Sequence, residues 1–139
     1  MAAESEVSDW EELIACGYRA YLAGDSYAAE QAFKAALANA ALAKVQVHPN
    51  IGLLFFLLGE LYSEAQFYAE AESCYRYALL VYDGLSAADD IDMCIILKRL
   101  ADTCRVQGKT AEANALSKRD EELLAPTRMQ LESIFQRSA

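Results

Sequence analysis

Apolar and small residues recur along this chain with a helical period. Between Tyr27 and Lys44 they stand at Ala29, Ala32, Phe33, Ala36, Leu37 and Ala40. That is the i, i+3, i+4, i+7 stripe of a helix packed along one face. Comparable stretches fill most of the sequence, and breakers are sparse, with two prolines and six glycines. The pattern predicts helices over about 8–23, 27–44, 51–64, 68–82, 87–106 and 110–124, and a short seventh over about 126–137. Ser8 with Glu11 forms a capping box, and Ser86 with Asp89 a second capping pair. Gly24-Asp25-Ser26, His48-Pro49-Asn50, Ala65-Gln66, Gly84 and Gln107-Gly108-Lys109 interrupt the stripes. Pro126 suits the first turn of the seventh helix, where its missing amide costs nothing. Met129, Leu131, Ile134 and Phe135 give that helix an apolar side.

The stripes repeat at a spacing of 42 residues. Gly17, Gly59 and Ala101 are related by that shift, as are Ala29, Ala71 and Ala113. Phe33, Tyr75 and Ser117 form a third set, and Ala36, Ala78 and Asp120 a fourth. A period in the range of about 20 to 50 residues marks units that bury their apolar faces only by stacking. Three units follow, over about 8–45, 50–84 and 87–124, in one domain spanning 1–139. Within each unit 12 residues separate the small residue of the first helix from that of the second. A residue without a large side chain lets two helices cross closely, and the aromatic four positions later fills the gap beside the contact. The seventh helix is expected to cover the bare face of the last unit.

Composition narrows the function. The formal net charge of −9 argues against duplex nucleic acid, whose phosphates need a basic footprint. It disfavours docking on an anionic membrane for the same reason. The opening residues are polar and acidic and do not read as a secretory signal. The longest apolar run, Ile51 to Gly59, is about half a membrane span. Cys16, Cys74, Cys94 and Cys104 show no C-x-x-C spacing, and three fall at core positions, which suggests reduced thiols in a cytoplasmic protein. His48 has no second histidine to help it hold a metal, and Asp89, Asp90 and Asp92 lack the alternation of a calcium loop. There is no phosphate-cradling glycine loop and no nucleophile elbow. Neither an enzyme nor a cofactor is expected.

The small–alanine–aromatic–alanine pattern resembles the tetratricopeptide repeat family. The second unit carries it through Phe55, Leu58-Gly59, Tyr62, Tyr68, Ala71, Tyr75 and Ala78-Leu79. The first carries it through Leu13, Gly17, Ala20, Gly24, Ala29, Phe33 and Ala36-Leu37. In the third, Leu97, Leu100-Ala101, Gly108 and Ala113 agree, but Ser117 and Asp120 stand where an aromatic and an alanine are expected. The usual repeat of that family is about 34 residues long. The longer period, with His48-Pro49 opening the second unit, is similar to the subclass found in kinesin light chains and many bacterial members. A period of 42 also suits HEAT repeats, and the residue pattern favours the former.

The resemblance implies an all-α, right-handed solenoid of three helix pairs plus a capping helix, seven helices in all. It also implies that the first helices line a concave groove. The matching positions are Ile14, Ala15, Tyr18 and Tyr21 in the first unit, and Leu53, Phe56, Leu57, Glu60 and Glu64 in the second. The third contributes Ile95, Lys98, Arg99, Asp102 and Arg105. Only Arg99 matches the family's carboxylate clamp, because Ile14, Tyr18, Leu57 and Ile95 occupy its other positions. The asparagine ladder of kinesin light chains is replaced by Ala15, Leu57 and Arg99. The expected ligand is therefore an apolar peptide or amphipathic helix of another protein, with Lys98, Arg99 and Arg105 meeting acidic groups at one end. The run Ile51 to Leu58 is apolar on all sides, so either neighbours enclose it or Leu53, Phe56 and Leu57 form an exposed patch. The expected function is that of a non-enzymatic interaction module. The alternatives are a small secretion-type chaperone for an aggregation-prone client and a self-assembling homodimer.

Overall fold

A computed structural model describes residues 2–85 and 90–138, with side chains over 9–85, 92–126 and 128–137. Six helices occur among the described residues: α1 (Ala2–Leu22), α2 (Ser26–Leu42), α3 (Pro49–Glu64), α4 (Tyr68–Asp83), α5 (Asp90–Val106) and α6 (Thr110–Ser138). They pack as the pairs α1–α2, α3–α4 and α5–α6, and α2 against α3 and α4 against α5 join the pairs into a stack.

Each pair closes through the same three-residue turn. Gly24, Gln66 and Gly108 lie 42 residues apart and have φ values of +81°, +66° and +81°. The amide of the following residue reaches back five positions: Asp25 to the Ala20 carbonyl (2.9 Å), Phe67 to Tyr62 (2.8 Å) and Lys109 to Cys104 (2.9 Å). This is the left-handed C-terminal cap that satisfies the last carbonyls of a helix. Asp25 then caps α2, its carboxylate accepting from the Ala28 amide at 3.1 Å.

The close crossings sit where the spacing places them. A Cβ built on Gly17 would lie 2.5 Å from Phe33 Cε1, and one on Gly59 would lie 2.6 Å from Tyr75 Cε1. Phe33 and Tyr75 are fully enclosed. In the third unit Ala101 already fills this space, and Ser117 replaces the ring that would collide with it. One core cluster is built around Trp10, Phe33, Leu54 and Leu58, another around Tyr75, Leu97, Leu100 and Cys104. Phe55 and Tyr62 pack against both and make them continuous.

Two sequence-based boundaries differ. α1 runs through Ser8 from Ala2, because alanine and glutamate favour the helix and the acidic residues suit its N-terminal dipole. Ser8 therefore does not open the helix. The Ser86–Asp89 capping pair lies outside the described residues. The seventh helix is not separate, since α6 continues through Pro126 to Ser138. A proline inside a helix removes one backbone hydrogen bond, and the flanking helix-forming residues carry the chain past it. Nor does this segment cover the end of the stack: Met129, Leu131, Ile134 and Phe135 are all exposed. His48, which looked like a plain loop residue, caps α3 by accepting the Asn50 amide on Nδ1 at 3.0 Å, and its ring lies 4.5 Å from that of Trp10. Cys94 and Cys104 are buried, Cys74 is half-buried and Cys16 exposed, and none of the four forms a disulfide among the described residues.

Candidate functional site

The groove positions lie on α1, α3 and α5, the first helices of the three pairs. On α1, Ile14 and Tyr21 are half-buried against the first core cluster. Tyr18 is exposed and stacks on Tyr21 at a ring separation of 6.3 Å. The Tyr21 hydroxyl donates to Glu64 Oε1 and ties α1 to α3.

Two clefts open along the seam between α3 and α5. The first, about 110 Å³, is apolar and is lined by Leu53, Phe56, Ile95 and Ile96 with Tyr82 and Asp92. The second, about 290 Å³, is polar. From α3 it is lined by Glu60, Ser63 and Glu64, from α5 by Arg99, Asp102, Thr103 and Val106, and from α4 by Tyr68. Glu60 follows Leu53 by two turns, as Asp102 follows Ile95, so the clefts lie about 10 Å apart on one seam.

The polar cleft has an ion pair at its base, Arg99 Nε to Glu60 Oε1 at 3.1 Å. Glu60 also accepts the hydroxyl of Tyr75, the ring enclosed over Gly59. The core aromatic of the second unit thus fixes the carboxylate that holds the groove arginine. The surrounding field is negative. Tyr21 is pushed up to about 12 by its hydrogen bond to Glu64, then by partial burial and by the charges of Glu64 and Glu60. Burial raises Tyr75 as well, with the Glu60 hydrogen bond adding to it.

The remaining predicted residues separate from these. Leu57 is buried in the first core cluster and leaves the surface to Leu53 and Phe56. The apolar run Ile51 to Leu58 of α3 is therefore enclosed along most of its length and opens toward α5 at Leu53 and Phe56. Neither Lys98 nor Arg105 lines a cleft. Arg105 is held by Asp102 at 3.2 Å and by the Ser117 hydroxyl at 2.7 Å. Sequence reasoning restricted to first helices missed Tyr68 and Tyr82, which enter the clefts from α4. Gly52 carried the signal for Tyr82, since a Cβ there would meet that ring at 2.7 Å. Among the described residues no three His, Cys, Asp or Glu side chains cluster to hold a metal, and no helix is long and apolar enough to cross a membrane.

No protein-family profile and no curated protein sequence matches the chain. Among solved structures it is similar to BtubC (BKLC) from P. vanneervenii, with a TM-score of 0.81, 18% identity and 88% of this chain covered. The chain spans about half the length of BtubC, the match covering 50% of it. It is also similar to the N-terminal domain of stress-induced protein-1 (STI-1) from C. elegans, with a TM-score of 0.72 and 17% identity. That match covers 91% of this chain and 97% of the STI-1 domain. The fold is a tetratricopeptide-type α-solenoid.

Proposed function

We propose that this tetratricopeptide-type solenoid is a non-enzymatic interaction module that binds a segment of another protein along α1, α3 and α5. The observation that carries this is the pair of adjoining clefts on the α3–α5 seam. There Leu53 and Ile95 are 36% and 43% exposed although apolar, and a polar cleft continues the same line. An apolar anchor site beside a polar one is how a groove fixes both affinity and register. Solenoids of this kind present extended concave surfaces that serve protein recognition.

Leu53→Arg combined with Ile95→Arg tests this reading. Both side chains are already part-exposed, so helicity by circular dichroism should be retained. Stable partners captured from cells should be lost; partners retained at wild-type levels would contradict it. A second reading, self-association, is favoured by the exposed Met129, Leu131 and Phe135 of α6. Light scattering over a concentration series checks it, and a constant single-chain mass would reject it.

A further inference from the structure

We infer that the groove takes a basic segment: one bulky apolar side chain in the cleft of Leu53 and Ile95, and a lysine or arginine about 10 Å away against Glu64 and Asp102. This assignment rests on the groove reading above and adds the sign and spacing of the ligand.

The charge balance of the lining leads to it. Four carboxylates line the two clefts, Asp92 in the apolar one and Glu60, Glu64 and Asp102 in the polar one, against the single guanidinium of Arg99. Adding Lys98 and Arg105, which lie on α5 outside both clefts, leaves the sum negative. Arg99 would meet an acidic partner with Glu60 already on its Nε and balancing its charge. It is paired with Glu60, whose side chain is only 19% exposed and is held from behind by the Tyr75 hydroxyl. A ligand carboxylate that drew Arg99 away would strand Glu60 in a partly desolvated position, and an unpaired charge there costs more than the new pair returns. Arg105 is likewise occupied by Asp102 and Ser117. By contrast Glu64 is exposed, and its Oε1 accepts from a neutral hydroxyl that removes none of its charge. A ligand cation placed between Glu64 and Asp102 pairs with Glu64 and shares Asp102 with Arg105, which holds one of its oxygens at 3.2 Å, without breaking the Arg99 pair.

The geometry sets the spacing. Two helical turns separate the clefts, so the anchor and the cation stand three residues apart in an extended ligand and seven apart in a helical one.

The test is selection of a random 12-residue peptide library displayed on phage against the intact chain. The enriched peptides are then measured against two variants. Glu64→Lys with Asp102→Lys reverses the polar cleft at exposed positions, and Leu53→Arg with Ile95→Arg blocks the apolar one. Circular dichroism confirms that both are folded. The inference expects enriched peptides with lysine or arginine three or seven positions from a bulky apolar residue. Their affinity should fall at least about tenfold in each variant, and the loss in the charge-reversed one should shrink at high salt. Acidic or uncharged peptides that bind the wild type but not the Leu53/Ile95 variant would overturn the charge assignment and leave the groove reading intact. Failure to enrich peptides, or peptides indifferent to the Leu53/Ile95 variant, would overturn both.

Discussion

Gly17 and Gly59 lie directly beneath enclosed aromatic rings, and a methyl group at either has nowhere to go. Gly59→Ala and Gly17→Ala should each destabilise the fold by about 1–3 kcal/mol in urea titrations, the usual cost of overpacking a tight contact. Gln66 poses the opposite case. It holds the left-handed cap position that Gly24 and Gly108 fill in the other turns, and a side chain in that conformation costs about 1–2 kcal/mol. Gln66→Gly should therefore stabilise by about 1 kcal/mol, and no change in the urea midpoint would refute this. Asp120 stands where Ala36 and Ala78 stand in the earlier units, and its buried Oδ1 has no hydrogen-bond partner. Asp120→Ala should raise stability by about 1–2 kcal/mol, since an unsatisfied buried polar atom is removed. The glycine–aromatic contacts were legible in the sequence because size complementarity needs only the register. The strain at Gln66 was not, because residue type hides backbone conformation. Only its 42-residue distance from Gly24 and from Gly108 marked it.

Neighbouring helix pairs are joined by a latch that recurs at the repeat spacing. Glu30 accepts the Tyr62 hydroxyl at 2.8 Å and pairs with Lys34 at 2.7 Å. Forty-two residues on, Glu72 pairs with Arg76 at 3.3 Å and accepts from Cys104, Gln107 and Lys109. Hydrogen bonds from Lys34 and Tyr62 hold Glu30 below the usual carboxylate range. Burial pushes Glu72 up, but Lys109, Arg76 and Gln107 together outweigh it and leave it low as well. A carboxyl whose pKa is depressed on folding contributes stability above its unfolded value, and that contribution is lost as pH falls through the folded one. Stability should therefore drop on acidification below the unfolded value of 4.5. Glu72→Gln should flatten that acid limb and cost about 1 kcal/mol at neutral pH, because its cationic partners are part-exposed. An unchanged acid limb in thermal melts at pH 3 to 6 would contradict the latch. The helices themselves were plain from periodicity, whereas these latches were not, since they join residues about 32 apart whose faces are fixed only by the stacking. The missing break at Pro126 has a related cause. A proline biases against helix but does not forbid it when the flanking residues favour helix on both sides.

At the scale of the molecule, three stacked pairs place α1, α3 and α5 in succession. The seam of α3 with α5 gathers residues from distant parts of the chain into two clefts. The family resemblance implied groove positions at Leu53, Phe56, Glu60, Ile95 and Arg99, and these residues line the two clefts. It could not place Tyr68 and Tyr82, which arrive from α4, nor show that Arg99 and Arg105 are already neutralised within the chain. That internal pairing is why the inferred ligand carries a cation, where an apolar segment with acidic groups at one end was expected. The most direct measurement is site-specific photo-crosslinking in cells of the source, with a photoreactive phenylalanine placed at Ile95 and, in a separate chain, at Tyr77 on α4. Tyr77 is exposed and lines neither cleft. The account predicts a discrete adduct from position 95 that a selected basic peptide competes away, and none from position 77. Adducts of equal yield from both positions, or an adduct at 95 that the peptide leaves untouched, would contradict it.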